Sequence, residues 1–328
     1  MIQESHRRKH QDSGKRCVPL PALGELPQLT ALSLAWRRLV DLKPVLIAVN
    51  NTGLVCCWDQ GGRWQHRVVS WPEGVCRDGV PLQRDAVGEL IADLIFDCDC
   101  PGAELVLCLP LNAAAWCVVD GYGSEGAPGL LPQSLQSIDL PFDLAESYIT
   151  AAPAQDALAV VGVPRSLIQS WSEVAELADL PLRRVDWSLT AAQRALYQLT
   201  PAWDGDLAWL VVEENSMRLV LFRQRVPEVD HALGEHDPLA CQREIRACVA
   251  AWQARLASPS ALGWWLSLPT EQVDDWMPLV DRAAGECCLN QPLPTWAEPS
   301  DHDAARNGSD VLSALQQLAL LALYQEEQ

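Results

Sequence analysis

The order of apolar runs and amphipathic stretches predicts an α/β protein of two lobes. Three observations carry the prediction. Short continuous apolar runs, such as "PVLIAV" (44–49) and "ALAVVGVP" (157–164), read as strands buried on both faces. They alternate with helical patterns such as "LQRDAVGELIADLIFD" (82–97), where Val87, Leu90, Ile91, Leu94 and Ile95 recur at spacings of three and four. A hairpin followed by a helix occurs near the start and again after residue 206, and 328 residues suffice for two buried cores.

Residues 1–43 form a polar, partly disordered extension with a possible helix at 29–41. The strand 44–49 then turns through "NNTG" into "LVCCW", and Gly61–Gly62 turns that into "RWQHRVVSW", giving a meander. After the helix of 82–97 comes the apolar strand "AELVLCLP" (103–110), and then a Gly-, Ser- and Pro-rich loop over 121–136. The strand 157–164 leads to the helix "SLIQSWSEVAELAD", a short break "LPLRRVDW" and the helix "LTAAQRALYQL". A second hairpin, 207–226, precedes the helix "PLACQREIRACVAAWQARL" and the strand "LGWWLSLP". A weaker helix over 270–285 and a proline-rich coil lead to a last helix, whose first turn Ser309 or Asp310 can cap. The first lobe is expected over 44–205 and the second over 206–328, with the last helix returning to the first lobe.

Composition excludes several functions. A formal charge of −19 opposes nonspecific binding to nucleic acid or anionic membrane. The basic cluster "HRRKH" lacks the apolar core of a signal peptide and reads as a solvated tail. No run approaches the roughly 18 apolar residues of a spanning helix. Twelve cysteines show no CxxC pair and no zinc-finger spacing with histidine, so buried reduced thiols are expected. "DCDC" (97–100), read as extended chain, sends alternate residues to opposite faces and makes a poor metal site. The fourteen tryptophans, among them Trp36, Trp209, Trp252, Trp264 and Trp265, read mainly as core. There is no GxSxG, P-loop or HExxH, and Ser267 has no visible partner.

A hairpin-then-helix pattern used twice is how the two-lobed actin-like ATPase fold is built, with a central cleft between lobes. Particular segments go further. "EVAELADLPLRRVDWSLTAAQRAL" (173–196), "SIDLPFDLAESYIT" (137–150), "REIRACVAAW" (243–252) and the closing "LQQLALLAL" (315–323) resemble segments of the PilM family, the cytoplasmic actin-like component of type IV pilus assembly. Val185, Asp186, Ala191, Arg194 and Ala195 fit the family pattern, whereas Asp179 stands where it usually has glycine.

The resemblance fails where nucleotide chemistry would sit. Ala48, Val49 and Asn50 replace an Asp-Ile-Gly phosphate turn, Val211 and Glu213 replace a second Asp-x-Gly, and Leu268–Pro269 replace a glycine pair at the adenosine site. Alanine and valine offer magnesium no oxygen ligand. The resemblance with these departures implies a pseudo-ATPase with no cofactor. Glu213 and Glu214 are then a solvated turn that keeps only a structural role.

The function so implied is a non-catalytic scaffold at the cytoplasmic side of the inner membrane. Its partner would be the basic cytoplasmic tail of a single-span, PilN-like protein, held in a groove of the first lobe. Leu140, Pro141 and Phe142 are candidates for the groove wall, with no direct membrane insertion. Two rivals stand beside it. An ATPase or small-molecule kinase needs a carboxylate ending the first strand, and Asp41 and Asp59, the nearest, lie in no glycine turn. A cytoplasmic domain of a type II secretion component would continue into a spanning helix.

Overall fold

The computed structural model describes residues 43–120, 141–154, 157–201, 203–213, 216–223, 225–234, 238–256, 261–268, 273–279, 287–288 and 313–327. The extension, its helix at 29–41 with Trp36, the loop 121–136 and the capping residues Ser309 and Asp310 lie outside these residues.

Two five-stranded sheets repeat one topology. In the first, β1 (Pro44–Val49), β2 (Gly53–Gln60) and β3 (Arg63–Ser70) form an antiparallel meander. Gly61 and Gly62 make its second turn at φ of 66° and 84°, the left-handed region that glycine enters without strain. A two-stranded ribbon, β4 (Cys76–Arg77) and β5 (Val80–Pro81), precedes α1 (Arg84–Asp97). Next, β6 (Glu104–Leu109) pairs parallel with β1. β10 (Leu182–Trp187) adds parallel to β6 at the edge, giving the order β10-β6-β1-β2-β3.

Between β6 and β10 the chain inserts a three-stranded antiparallel sheet, ordered β7-β9-β8 from β7 (Ala115–Asp120), β8 (Ser147–Ala154) and β9 (Ala157–Pro164). The strand predicted at 157–164 is therefore present, but it belongs to this small sheet and not to a parallel core. The expected break at 180–187 is mostly strand β10. α2 (Arg165–Leu177) separates the inserted sheet from β10, and α3 (Ser188–Leu199) follows it.

The second sheet starts with the antiparallel β11 (Asp206–Glu213), β12 (Ser216–Arg223) and β13 (Val226–Leu233). After α4 (Pro238–Gln253), β14 (Leu262–Ser267) pairs parallel with β11. Beyond α5 (Val273–Trp276), β15 (Cys287–Cys288) completes the order β13-β12-β11-β14-β15. The last helix is α6 (Ala314–Glu327).

Strand alternation sorts these elements into layers. On β1, Val45, Ile47 and Val49 pack under α1 and α2, while Leu46 and Ala48 face α3 and α6. On β11, Leu207, Trp209 and Val211 face that same α3–α6 layer, while Ala208, Leu210 and Val212 pack under α4. The central core is thus shared by both sheets and both buried helices. Its α6 contribution, Leu315 to Leu323, is buried on nearly every side. Trp209, Trp252 and Trp264 are among the largest fully buried side chains, and Trp265 is buried beside them, as expected of core rings.

Helix ends explain several sequence choices. α6 is capped by Ser313: its hydroxyl accepts the Gln316 N–H at 3.1 Å and its own N–H reaches Gln316 Oε1 at 3.2 Å, a reciprocal capping box. α2 ends with Asp179 at φ 55°, where the Asp179 and Leu180 N–H groups return to Glu176 and Ala175 carbonyls. This motif favours glycine at the left-handed position, which accounts for glycine at that place in the resembling pattern. α1 ends the same way at Asp99, so "DCDC" is a helix end with its cap and not an extended segment.

Candidate functional site

Two concave regions were expected to matter: the seam between the two sheets and a groove in the first lobe. At the end of β1, where the phosphate turn was expected, the β1–β2 turn folds on its own carboxamide. Asn50 Oδ1 accepts the N–H groups of Thr52 (3.0 Å) and Gly53 (2.7 Å) and the Thr52 hydroxyl (3.1 Å). The Asn50 carbonyl takes the Trp71 indole N–H at 2.9 Å. The Thr52 and Gly53 N–H groups are therefore already bonded inside the turn. Ala48 is buried in the shared core and offers only a methyl group.

Glu213 behaves differently from the solvated turn that the sequence suggests. It is 5% exposed, and its Oε2 accepts the Leu111 N–H at 2.8 Å. Leu111 opens the 3₁₀ turn Leu111–Ala113 after β6, so a carboxylate from the second sheet caps a turn of the first. A peptide N–H at a turn start is a donor of the kind phosphates use, and here a side-chain anion fills it. Glu214 lies outside the described residues. Val211 is fully buried between the sheets.

The rest of the seam is packed. Trp187, 3% exposed, donates its indole N–H to the carbonyls of Pro110 (3.0 Å) and Leu111 (3.1 Å). It meets Trp116 edge-on at 6.2 Å between ring centroids, and the Arg218 guanidinium lies 5.7 Å from its ring. Arg218 also pairs with Asp230 at 2.7 Å, and the Trp116 indole donates to the same carboxylate. Burial pushes Asp230 above the ordinary carboxylate range despite that arginine. At the end of β14, the Ser267 hydroxyl accepts the Trp209 indole N–H at 2.8 Å, the partner its sequence context does not show. Leu268 is buried in the second sheet's outer core, and Pro269 lies outside the described residues.

The second region is open. A cavity of about 840 Å³ lies between the inserted sheet and the β10–α3 corner, with Arg225, Val226 and Pro227 at one end. Tyr148 to Ala151 of β8, Ala159, Val161 and Val163 of β9, and Arg184 to Trp187 of β10 line it. Both β8 and β10 are edge strands among the described strands. Its polar wall is a closed ring of charges. Asp186 takes Arg184 and Arg194 at 2.6 Å each, and Glu326 of α6 takes the same arginines at 2.6 and 2.7 Å. Desolvation works against both arginines, but Asp186 and Glu326 outweigh it and raise them further.

The described residues expected at a groove wall do not line this cavity. Leu140 is outside the described residues and Pro141 is exposed. Phe142 packs on Gly162, where any added Cβ would collide with its ring. Gly162 alternates with the cavity-facing Val161 and Val163, so Phe142 covers the opposite face of the sheet and is no wall of this cavity. Val185, Asp186 and Arg194, which fit the resembling pattern but were not expected at a groove, line the cavity.

No protein-family model and no curated protein matches the chain. Solved structures do. A chain of the PilM-PilN type IV pilus biogenesis complex aligns with a TM-score of 0.60 at 16% identity, over 86% of this chain and 98% of that one. A Bacteroides thetaiotaomicron protein with an actin-like ATPase fold gives 0.47 at 6% identity, covering 75% and 90%. The cytoplasmic domain of EpsL from the Vibrio cholerae type II secretion system gives 0.43 at 12%, covering 86% and 95%. With its duplicated sheet topology and the first of these likenesses, the chain has the fold of that pilus-complex chain, an α/β, two-lobed actin-like fold.

Proposed function

We propose that the protein is a non-catalytic scaffold that holds an extended, mainly apolar segment of a partner in the cavity between β8 and β10. One observation carries the reading: the N–H groups of Thr52, Gly53 and Leu111 are already bonded to Asn50 and Glu213, while the apolar cavity stands open. Two edge strands flank that cavity, so the guest's backbone can pair with one while its side chains fill the pocket.

The structural likeness to a chain solved with PilN supports a PilN-like partner. The guest is then the cytoplasmic tail of a single-span inner-membrane protein, and the scaffold sits peripherally at the cytoplasmic face. No described helix is long and apolar enough to cross a membrane, which fits attachment through a partner. The overall charge of −19 steers a basic tail towards the protein. Within the cavity, by contrast, the ionisable lining residues Arg184, Arg194, Arg225 and Asp186 leave no acidic excess, so the tail's basic residues stay outside.

Surface binding of candidate tails tests the reading. Ala159→Trp, which fills the cavity, is expected to weaken binding at least tenfold; Phe142→Ala, on the far face, leaves the off-rate unchanged. The opposite pattern overturns the cavity assignment. Titration with ATP and magnesium is expected to give no saturable rise in melting temperature, because a ligand bound to the native state raises it by mass action. A saturable shift near millimolar ATP would sink the non-catalytic reading.

A further inference from the structure

The helical layer outside the first sheet carries apolar side chains that neither the seam nor the cavity uses. Among the described residues six large apolar side chains stand exposed, and four of them gather here: Val80 of β5, Leu82 beside it, Phe96 of α1 and Leu177 of α2. Phe96 is 82% exposed, and Leu82 and Leu177 are each about half exposed. Exposed apolar groups scattered singly need no explanation, whereas a cluster marks a contact surface.

The sequence of α1 builds this face. Val87, Gly88, Ile91, Leu94 and Ile95 are buried, so Asp85, Glu89, Asp93 and Phe96, at spacings of four and three, form the outward stripe. α2 lies close alongside because Gly88 has no side chain: a Cβ there would stand 2.7 Å from Cβ of Leu177. That approach brings Leu177 next to the start of α1. A groove of about 700 Å³ opens there, with Leu82, Asp85, Glu89, Glu173 and Leu177 among its walls. Arg84, also in the wall, is already paired with Glu173. Asp85, Glu89 and Asp93 of α1, and Glu176 and Asp179 on either side of Leu177, are exposed and have no ion-pair partner among the described residues.

We propose that this face docks a basic amphipathic helix of a partner protein. The guest's apolar stripe lies in the Leu82–Leu177 groove and against Phe96, and its lysines or arginines meet the carboxylates between them. Charge selects among the occupants. A second copy of the chain, itself at −19, and an anionic membrane are both repelled, whereas a cationic partner is complementary. Backbone chemistry selects a helix. α1 and α2 bond their peptide groups internally and offer no strand edge, so the guest must satisfy its own backbone, and its side-chain ridge can enter the groove. From Leu82 to Phe96 the face runs about 20 Å, or about four turns of a guest helix. This docking is independent of any guest in the cavity.

The test is fluorescence anisotropy with the full-length protein and a labelled synthetic helix of about 18 residues, leucine on one stripe and lysine elsewhere. A scrambled peptide of the same composition and a peptide with glutamate for every lysine are the comparisons. The designed helix is expected to bind saturably, the scrambled peptide about tenfold more weakly, and the glutamate peptide not at all. The triple variant Leu82→Ser, Phe96→Ser, Leu177→Ser, which changes only exposed side chains, is expected to lose about tenfold in affinity for the designed helix. A photo-cross-linking version of that helix is expected to label wild-type residues 82–96 or 173–179, a readout that does not depend on a variant's folding. Failure of the designed helix to bind, equal binding of either comparison peptide, full affinity of the triple variant or labelling elsewhere overturns the proposal.

Discussion

The seam between the sheets and the cavity beside β10 lie on either side of Trp187, yet they are built on opposite principles. In the seam, polar groups meet within the chain: Glu213 caps Leu111, and Trp187 bonds two carbonyls. Around the cavity, apolar side chains from β8, β9 and β10 line an open volume of about 840 Å³. An interior that satisfies its own donors contributes stability, whereas an apolar hollow forgoes contact energy that a guest can supply. Substitutions should therefore cost folding in the seam and binding in the cavity.

The sharpest test is Trp187→Ala. Its ring is 3% exposed, stacked edge-on against Trp116 and bonded to Pro110 and Leu111, so its loss should cost about 3–5 kcal/mol in urea unfolding. Next comes Glu213→Ala, which leaves the buried Leu111 N–H without this acceptor and should cost about 1–3 kcal/mol. Glu213→Gln keeps an acceptor oxygen and should cost clearly less. If Glu213→Ala is neutral, the carboxylate is not holding the seam, and the contrast between the two regions weakens.

How far each region was legible follows from the same physics. The central strands β1, β6, β11 and β14 are buried on both faces, so their sequences are continuous apolar runs. The cavity walls are edge strands with mixed patterns: β10 reads "LRRVDW" and β8 carries Pro153, which belongs at edges and weakens a strand signal. That is why β8 went unread and β10 passed for a break. Glu213 was opaque for another reason. Its acceptor role depends on Leu111, 102 residues away, and nothing in a local turn pattern distinguishes a buried carboxylate from a solvated one. Asp179, by contrast, was flagged as a departure from glycine, and its φ of 55° gives the reason such a position is selective.

The smallest expected effect lies on the cavity's charged wall. Glu326 bridges Arg184 and Arg194, but its side chain is 29% exposed and each arginine 35%, so water screens the pairs. Glu326→Gln should cost only about 0.5 kcal/mol at low salt, and the difference should vanish near 1 M salt, where exposed charges are screened within about 3 Å. Asp186 is the asymmetric member of the ring. It is 9% exposed, holds both arginines and also accepts the N–H of Trp187 at 2.8 Å. Asp186→Asn should therefore cost more than Glu326→Gln and keep most of its effect in salt. Urea titrations of the two variants at low and high salt measure this directly. A Glu326→Gln cost that equals that of Glu213→Ala and survives high salt would show the wall to be as internally committed as the seam. The two regions would then no longer differ in kind.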